Sequence, residues 1–186
     1  ELYAMWAWLP LFLLESFRAT GMDQAEHWAS VWGFAAIGIG GIGCVVGGIL
    51  ADRFGRTTIT IGSLLISGCC CLLVGLLFGN SPAPLIALCL VWGFAVIADS
   101  AQYSTSLTEL SEPDYVGTTL TMQTCIGFLL TLGSIRLIPN LVEWVSWRWA
   151  FAFLAIGPAF GIGAMYLLRR LPEAARIDGG RAGSEN

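Results

Sequence analysis

The sequence contains no lysine and a single histidine, and charged residues make up only 12% of its 186 positions, whereas hydrophobic residues make up 56%. A soluble domain carries about 25% charged residues. The arginines are scattered along the chain and the net charge is −4, so the sequence lacks the basic patch that nucleic-acid-binding proteins use. These absences argue against a soluble domain and against a nucleic-acid partner.

Motifs for metal binding, disulfide bonding and catalysis are missing as well. The cysteines lie in apolar runs, where thiols act as small packing residues, and no histidine or Cys-x-x-Cys pair accompanies them. The sequence also lacks the His-Glu-x-x-His and Gly-x-Ser-x-Gly motifs of hydrolases. We therefore predict no metal, no cofactor, no disulfide and no catalytic residue, and we expect that the protein is not an enzyme.

Long apolar runs dominate what the sequence does contain. Runs of about 20 apolar residues are typical of membrane-spanning helices, and six such spans can be drawn, at 1–14, 30–51, 58–78, 84–106, 115–138 and 149–168. The first is too short to cross a bilayer, so we expect a fragment whose true start lies upstream. The sequence predicts an all-α integral membrane bundle over 1–170 and a disordered tail over 171–186.

A short charged turn separates the second and third spans. So short a link makes the two spans an antiparallel hairpin, and arginines beside apolar helix ends indicate the cytoplasmic side of a membrane. The residues that define this signature loop are Gly48, Asp52, Arg53, Gly55 and Arg56.

The second span is rich in small residues at helical spacing. One ridge consists of Ala36, Gly40, Cys44 and Gly48, and an adjacent ridge of Gly43, Gly47 and Ala51. Small residues at this spacing let helix backbones approach closely in lipid. We predict that Gly40, Gly43 and Gly47 serve helix packing within one bundle, with a dimer face as the alternative.

The fourth span has a polar side inside the membrane. Three- and four-residue spacing places Trp92, Asp99, Gln102, Tyr103 and Ser106 on one helical face. A carboxylate at this depth normally faces a cavity or a partner. Three interpretations stay open: a proton or substrate site, a buried structural carboxylate, or a carboxylate wetted from the cytoplasm.

The loop from Gly48 to Thr57 resembles the signature loop of the major facilitator superfamily of secondary transporters. Five fixed positions of that loop match, and Thr57 departs at its last basic position. The resemblance implies one half of a twelve-span transporter, in which each half consists of two inverted three-helix repeats. The first and fourth helices of a half line the cavity, and here they carry Glu1 and Asp99.

The resemblance leaves both halves open: the signature loop is usually strongest in the amino-terminal half and favours that half, whereas two other features favour the carboxy-terminal half. Arg169 and Arg170 are followed by a short polar tail that resembles a chain end, and the segments at Glu1 and Ala98 resemble the seventh and tenth helices of prokaryotic nitrate/nitrite and cyanate carriers. The missing amino-terminal half is then a partner, together with the lipid bilayer, a small-molecule substrate and a proton.

The resemblance implies transport by alternating access, with proton coupling at Asp99 and a conformational latch at the signature loop. The expected cavity wall comprises Glu1, Trp8, Trp92, Asp99, Gln102 and Tyr103. The expected location is the cell membrane, with the signature loop and the tail in the cytoplasm. The alternative is a stand-alone six-helix scaffold, or a half-size protein that dimerises. The substrate is left open between organic cations, drugs, organic acids and small anions.

Overall fold

The structure is a computed structural model that describes residues 1–174, 176 and 177. The predicted disorder of the tail concerns residues that lie mostly outside this described part. The α-helices of the described part are α1 (Leu2–Ala19), α2 (Ala25–Phe54), α3 (Arg56–Leu73), α4 (Pro82–Leu110), α5 (Val116–Val145), α6 (Trp147–Ala150) and α7 (Ile156–Arg169). Short 3-10 turns extend α3 over Val74–Leu77, precede α5 over Pro113–Tyr115, and join α6 to α7 over Ala152–Ala155.

Five segments of the described chain are long and apolar enough to cross a membrane. They are Ala25–Phe54, Arg56–Leu77, Pro82–Leu110, Pro113–Val145 and Trp147–Arg169. The helix α1 has 18 residues, with Glu15 and Arg18 near its end, and it is not among the five because these charges offset its apolar side chains. The first predicted span, 1–14, therefore stays a prediction.

Helices and predicted spans differ most in α5. The span was expected to end at 138, but α5 contains Pro139 and continues to Val145. The sixth predicted span is broken into α6 and α7 by a 3-10 turn that ends at Ala155, three residues before Pro158. Proline lacks an N–H and its ring clashes with the carbonyl four residues earlier, which here is Leu154, so a straight helix cannot run through this point.

A single residue, Gly55, joins α2 to α3. Its φ of 89° and ψ of 138° lie in a region that side-chain-bearing residues rarely adopt. Its N–H donates to the carbonyl of Ala51 at 2.9 Å, and its own carbonyl accepts from the N–H of Ile59 at 3.2 Å. The glycine thus ends one helix and begins the next.

The helices α2 and α4 pack with almost no space between their backbones. A Cβ added at Gly43 would lie 2.3 Å from the carbonyl oxygen of Phe94, and one added at Gly93 would lie 1.8 Å from the carbonyl oxygen of Ala36. The buried face of α2 begins on the Ala36 ridge and passes to the adjacent one, because seven-residue steps drift around a helix of 3.6 residues per turn. Its buried residues are Ala25, Ala29, Gly33, Ala36, Gly40, Gly43, Gly47 and Ala51.

Away from the Gly55 turn, an aromatic cluster closes the bundle. The Phe12 ring of α1 lies 5.4 Å from that of Phe78, 5.7 Å from that of Trp147 and 5.2 Å from that of Phe151, measured between ring centroids. Trp92 of α4 joins the cluster through Phe151 at 5.4 Å. These edge and tilted contacts hold α1, α4 and α6 together at the end opposite the signature loop.

Candidate functional site

The centre of the candidate site is Asp99, on the buried side of α4. Its exposed fraction is 6%. The backbone N–H of Ser100 is a hydrogen-bond partner of the carboxylate, whereas no side chain of the described residues forms a hydrogen bond or an ion pair with it. Asp99 also lines a cavity, so its carboxylate has room to meet a solute or a proton.

Glu1 supplies a second carboxylate at the same place. Its Oε1 accepts the indole N–H of Trp92 at 2.7 Å and the thiol of Cys71 at 3.3 Å. The hydroxyl of Ser67 also donates to this oxygen. The donors come from α3 and α4, so the carboxylate at the start of α1 is fixed against two other helices.

Two adjoining cavities meet these carboxylates. The smaller has a volume of about 250 Å³ and is lined by both carboxylates and by apolar side chains. The larger, of about 520 Å³, extends from Glu1 towards α5 and the 3-10 turn before α7. Glu1, Leu2, Ser100 and Gly157 line both. The larger volume is in the range of small-molecule sites in proteins.

The structure brings four of the six expected wall residues together and places two elsewhere. Tyr103 lines the smaller cavity with Glu1 and Asp99, and Trp92 reaches the site through Glu1. Gln102 is buried but faces the signature loop, where it accepts from Arg56 at 3.3 Å. Trp8 donates its indole N–H to the carbonyl of Ile135 at 3.0 Å, which ties α1 to α5.

The hydroxyl of Tyr103 is held against a glycine of α7. A Cβ added at Gly161 would lie 2.6 Å from this hydroxyl oxygen. The close approach brings α4 and α7 together beside the smaller cavity. Gly157 and Pro158 of α7 also line this cavity, so the sixth predicted span contributes to its wall.

Arg56 is the most connected residue of the signature loop. Its guanidinium pairs with the carboxylate of Glu109 at 3.1 Å and with that of Asp52 at 3.3 Å. Its side chain is 15% exposed, that of Glu109 27% and that of Asp52 70%. Since surface pairs contribute little, the contact with Glu109 is the stronger link, and it joins the loop to the end of α4.

The other loop residues make fewer contacts in the described part. Arg53 is exposed, with its guanidinium 5.6 Å from the ring centroid of Phe54. A Cβ at Gly48 would meet open space. Gly55 forms the turn described above. Gly40 and Gly47 pack on α4, where an added Cβ would lie 1.9 Å from Ile97 and 3.1 Å from Ala98.

Ser67 and Cys71 of α3 were not anticipated as site residues from the sequence. Both are buried and hydrogen-bonded to Glu1. A signal was present: the buried residues Thr57, Thr60, Leu64, Ser67 and Cys71 follow one another at spacings of three and four. This spacing marks one helical face, and small polar side chains on it indicate the side turned towards the bundle.

An all-helical bundle of apolar segments with a buried carboxylate at a cavity is the arrangement of a multi-pass membrane transport protein. Comparison with protein families agrees: the model of the Major Facilitator Superfamily matches residues 2–185. The chain belongs to this family, whose members transport small solutes across membranes. A search of curated proteins and a search of solved structures each gave no match.

Proposed function

We propose that the chain forms the carboxy-terminal six-helix half of a proton-coupled secondary transporter that works by alternating access. The observation on which this rests most is Asp99, buried on a membrane-spanning helix and turned to a cavity that it shares with Glu1. An ionisable residue in such a position is a functional-site hypothesis by default. Kinship with nitrate/nitrite and cyanate carriers rests on the segments at Glu1 and Ala98.

A second six-helix half would complete the cavity. In the described chain α5 has one buried residue, Ile138, among 30, although its residues Gly127, Leu130 and Thr131 line the larger cavity. In a twelve-span transporter the other six-helix half would cover this exposed side of α5. The contact of α1 with α5 and that of α2 with α4 are the contacts expected of two inverted three-helix repeats.

Asp99 couples transport to protons through the cost of its charge. A carboxylate near the centre of a bilayer costs about 2.5–3.5 kcal/mol on insertion scales. Protonation removes that cost, and so does pairing with a cation. A cavity that closes around Asp99 therefore favours the neutral or paired form, whereas opening to water permits the charged form, so the movement of the cavity and the proton are linked.

The signature loop is proposed to act as a latch, by which we mean the contacts of Arg56 with Asp52, Glu109 and Gln102. These contacts join the α2–α3 turn to α4, the helix that carries Asp99. Rocking of the helices would separate them, so the latch stabilises one conformer over the other. Arg53 lies on the exposed side of the same turn.

The proposed location is the cell membrane, with the signature loop and the tail in the cytoplasm. Arg53, Arg56, Arg169 and Arg170 are at the end that contains the Gly55 turn, against Arg18, Arg136 and Arg148 at the other, a bias in the direction expected for a cytoplasmic loop. A cysteine at position 53 should react with a membrane-impermeant maleimide only from the cytoplasmic side. Reaction from outside would reverse the orientation.

The function is tested by reconstituting the complete transporter in liposomes and screening small solutes for uptake with and without a pH gradient. We expect at least one solute to accumulate only with the gradient, and Asp99→Asn to abolish this accumulation because the variant cannot exchange a proton. The matched control is Asp114→Asn, which removes an exposed carboxylate and should leave uptake unchanged.

Gradient-dependent uptake that persists in Asp99→Asn would exclude the coupling role. Absence of uptake for every solute, in protein that is folded and correctly inserted, would favour the stand-alone scaffold instead.

A further inference from the structure

On the basis of the proposed function, we propose that the cavity between Glu1 and Asp99 takes an organic cation with an apolar body. Two carboxylates face a space whose other walls are mainly hydrocarbon, and the hydroxyls of Ser100 and Tyr103 are the remaining polar side-chain groups on the smaller cavity. This names the substrate class that the sequence left open.

The charges around the cavity favour a positive ligand. Of the residues that line either cavity in the described part, none is an arginine or a histidine. The guanidinium at the start of α3, that of Arg56, is held by Glu109, Asp52 and Gln102. An anion entering the cavity would meet two carboxylates with little to offset them.

The geometry of Glu1 leaves part of its carboxylate available. All the hydrogen bonds to this side chain converge on Oε1, from Trp92, Ser67 and Cys71. Within the described residues no partner of Oε2 is found. Asp99 likewise has no side-chain partner, although it is 94% buried from solvent, its exposed fraction being 6%. The carboxylate of Asp99 is buried and that of Glu1 is partly buried. Both have unused acceptor capacity, which points to a ligand that neutralises them.

The walls favour an organic cation over a metal ion. A hard cation such as Na⁺ or Ca²⁺ needs several oxygen ligands around a small volume, and the described residues hold no group of three or more His, Cys, Asp or Glu side chains that could bind a metal. The walls of the two cavities instead include Leu2, Leu64, Val96, Leu130, Leu137, Phe153, Leu154 and Pro158. Such surfaces bind hydrocarbon, and an aromatic ring such as that of Tyr103 attracts a cation to its face.

The test uses two ions of similar size and opposite charge. Binding of tetraphenylphosphonium and of tetraphenylborate to the purified complete transporter is measured by equilibrium dialysis in detergent and repeated in nanodiscs. We expect saturable binding of the phosphonium cation. Glu1→Gln and Asp99→Asn should each weaken it by about tenfold, which corresponds to about 1.4 kcal/mol.

The matched control is Glu112→Gln, which neutralises an exposed carboxylate of the α4–α5 loop and should leave the affinity unchanged. Trp92→Phe keeps an aromatic side chain but removes the indole N–H that donates to Glu1, and it should weaken binding less than Glu1→Gln does. Circular dichroism and gel filtration establish that each variant is folded before its affinity is interpreted.

Preferential binding of tetraphenylborate would overturn the proposal. Binding of both ions at levels that no variant changes would also overturn it, because such binding is partition of the ions into detergent or lipid. The outcome is separable from that of the proposed function. If Asp99-dependent, gradient-driven uptake of a neutral or anionic solute is found while the phosphonium cation does not bind, only the substrate class fails. If the cation binds at Asp99 but no solute is moved, transport fails and the binding site stands.

Discussion

At the scale of single residues, the two carboxylates of the site differ in the number of hydrogen bonds that they accept. Glu1 has three donors on one oxygen, whereas Asp99 has a backbone N–H and, among the residues that the structure describes, no side-chain partner. In lipid an unpaired carboxylate is expensive. A carboxylate with several hydrogen-bond donors is fixed in place, whereas one with few donors is able to bind a ligand or a proton. We therefore propose that the charge changes at Asp99 during transport, and that Glu1 is the more tightly held of the two carboxylates.

The latch gives a prediction at this scale. Glu109→Gln keeps the shape of the side chain but removes the charge that pairs with Arg56. We expect a loss of about 1 kcal/mol in the free energy of unfolding, because hydrogen bonds to charged groups contribute about 1.5–3 kcal/mol and partial exposure reduces this. We also expect uptake to change several-fold as the conformer balance shifts. Thermal unfolding and initial uptake rates measure the two effects.

Glu112→Gln, three residues further on and exposed, serves as the control for this variant. Uptake and stability both equal to those of the unmodified protein in Glu109→Gln would dismiss the latch.

The sequence predicted the residues of the site that lie on one helix and missed those that tertiary contact adds. Trp92, Asp99 and Tyr103 were recognised together because helical spacing alone places them on one face of α4. Ser67 and Cys71 meet Glu1 only because α3 packs against the start of α1, and no local pattern specifies which helix lies opposite. The same limit explains Trp8, which was expected at the cavity but donates to α5.

At the scale of elements, glycine determines how closely helices approach. In lipid there is little hydrophobic drive between helices, and close packing of small residues takes its place. The α2–α4 contact is of this kind, with backbone carbonyls of one helix lying where a Cβ of the other would be. Because α4 carries Asp99, this contact also fixes where the carboxylate lies relative to α2.

This packing predicts opposite outcomes for two neighbouring glycines of α2. Gly43→Ala would place a Cβ 2.3 Å from the carbonyl oxygen of Phe94, whereas a Cβ at Gly41 would meet nothing within 4 Å. We expect Gly43→Ala to destabilise the bundle by about 1–3 kcal/mol, the usual cost of overpacking. Gly41→Ala should be neutral or slightly stabilising, since alanine favours helices.

The measurement for this pair is the midpoint of thermal unfolding in detergent, followed by gel filtration. Equal midpoints for Gly43→Ala and Gly41→Ala would contradict the described α2–α4 contact.

The helices of the structure also show which features the apolar runs of the sequence predict and which they do not. The apolar runs indicated where the helices lie, since each of the five long apolar helices overlaps a predicted span. Their ends were less accurate, because helices such as α5 continue past the apolar run. The 3-10 turn over Ala152–Ala155 that breaks the sixth span packs against α3, and this tertiary contact has no counterpart in the pattern of apolar runs.

At the scale of the whole molecule, family membership and geometry support the same account from different directions. The family match covers residues 2–185 and establishes transport of small solutes as the family's activity. The geometry adds a cavity with two carboxylates at the meeting point of α1, α3, α4 and α7. Neither source alone names the substrate. From the charges and the apolar walls of the cavity we propose that the substrate is an organic cation.

The central claim is that water reaches the Asp99 cavity alternately from the two sides of the membrane, and it is tested most directly by labelling a cysteine at position 100. Ser100 is exposed and lines both cavities, so Ser100→Cys should react with an impermeant methanethiosulfonate reagent applied outside the cell and, in separate inverted vesicles, from the cytoplasmic face. The unmodified protein gives the background of the native cysteines. Reaction from both faces, with the ratio shifted by Glu109→Gln, is the predicted result. Reaction from one face alone under every condition, or from neither, would contradict alternating access at this cavity.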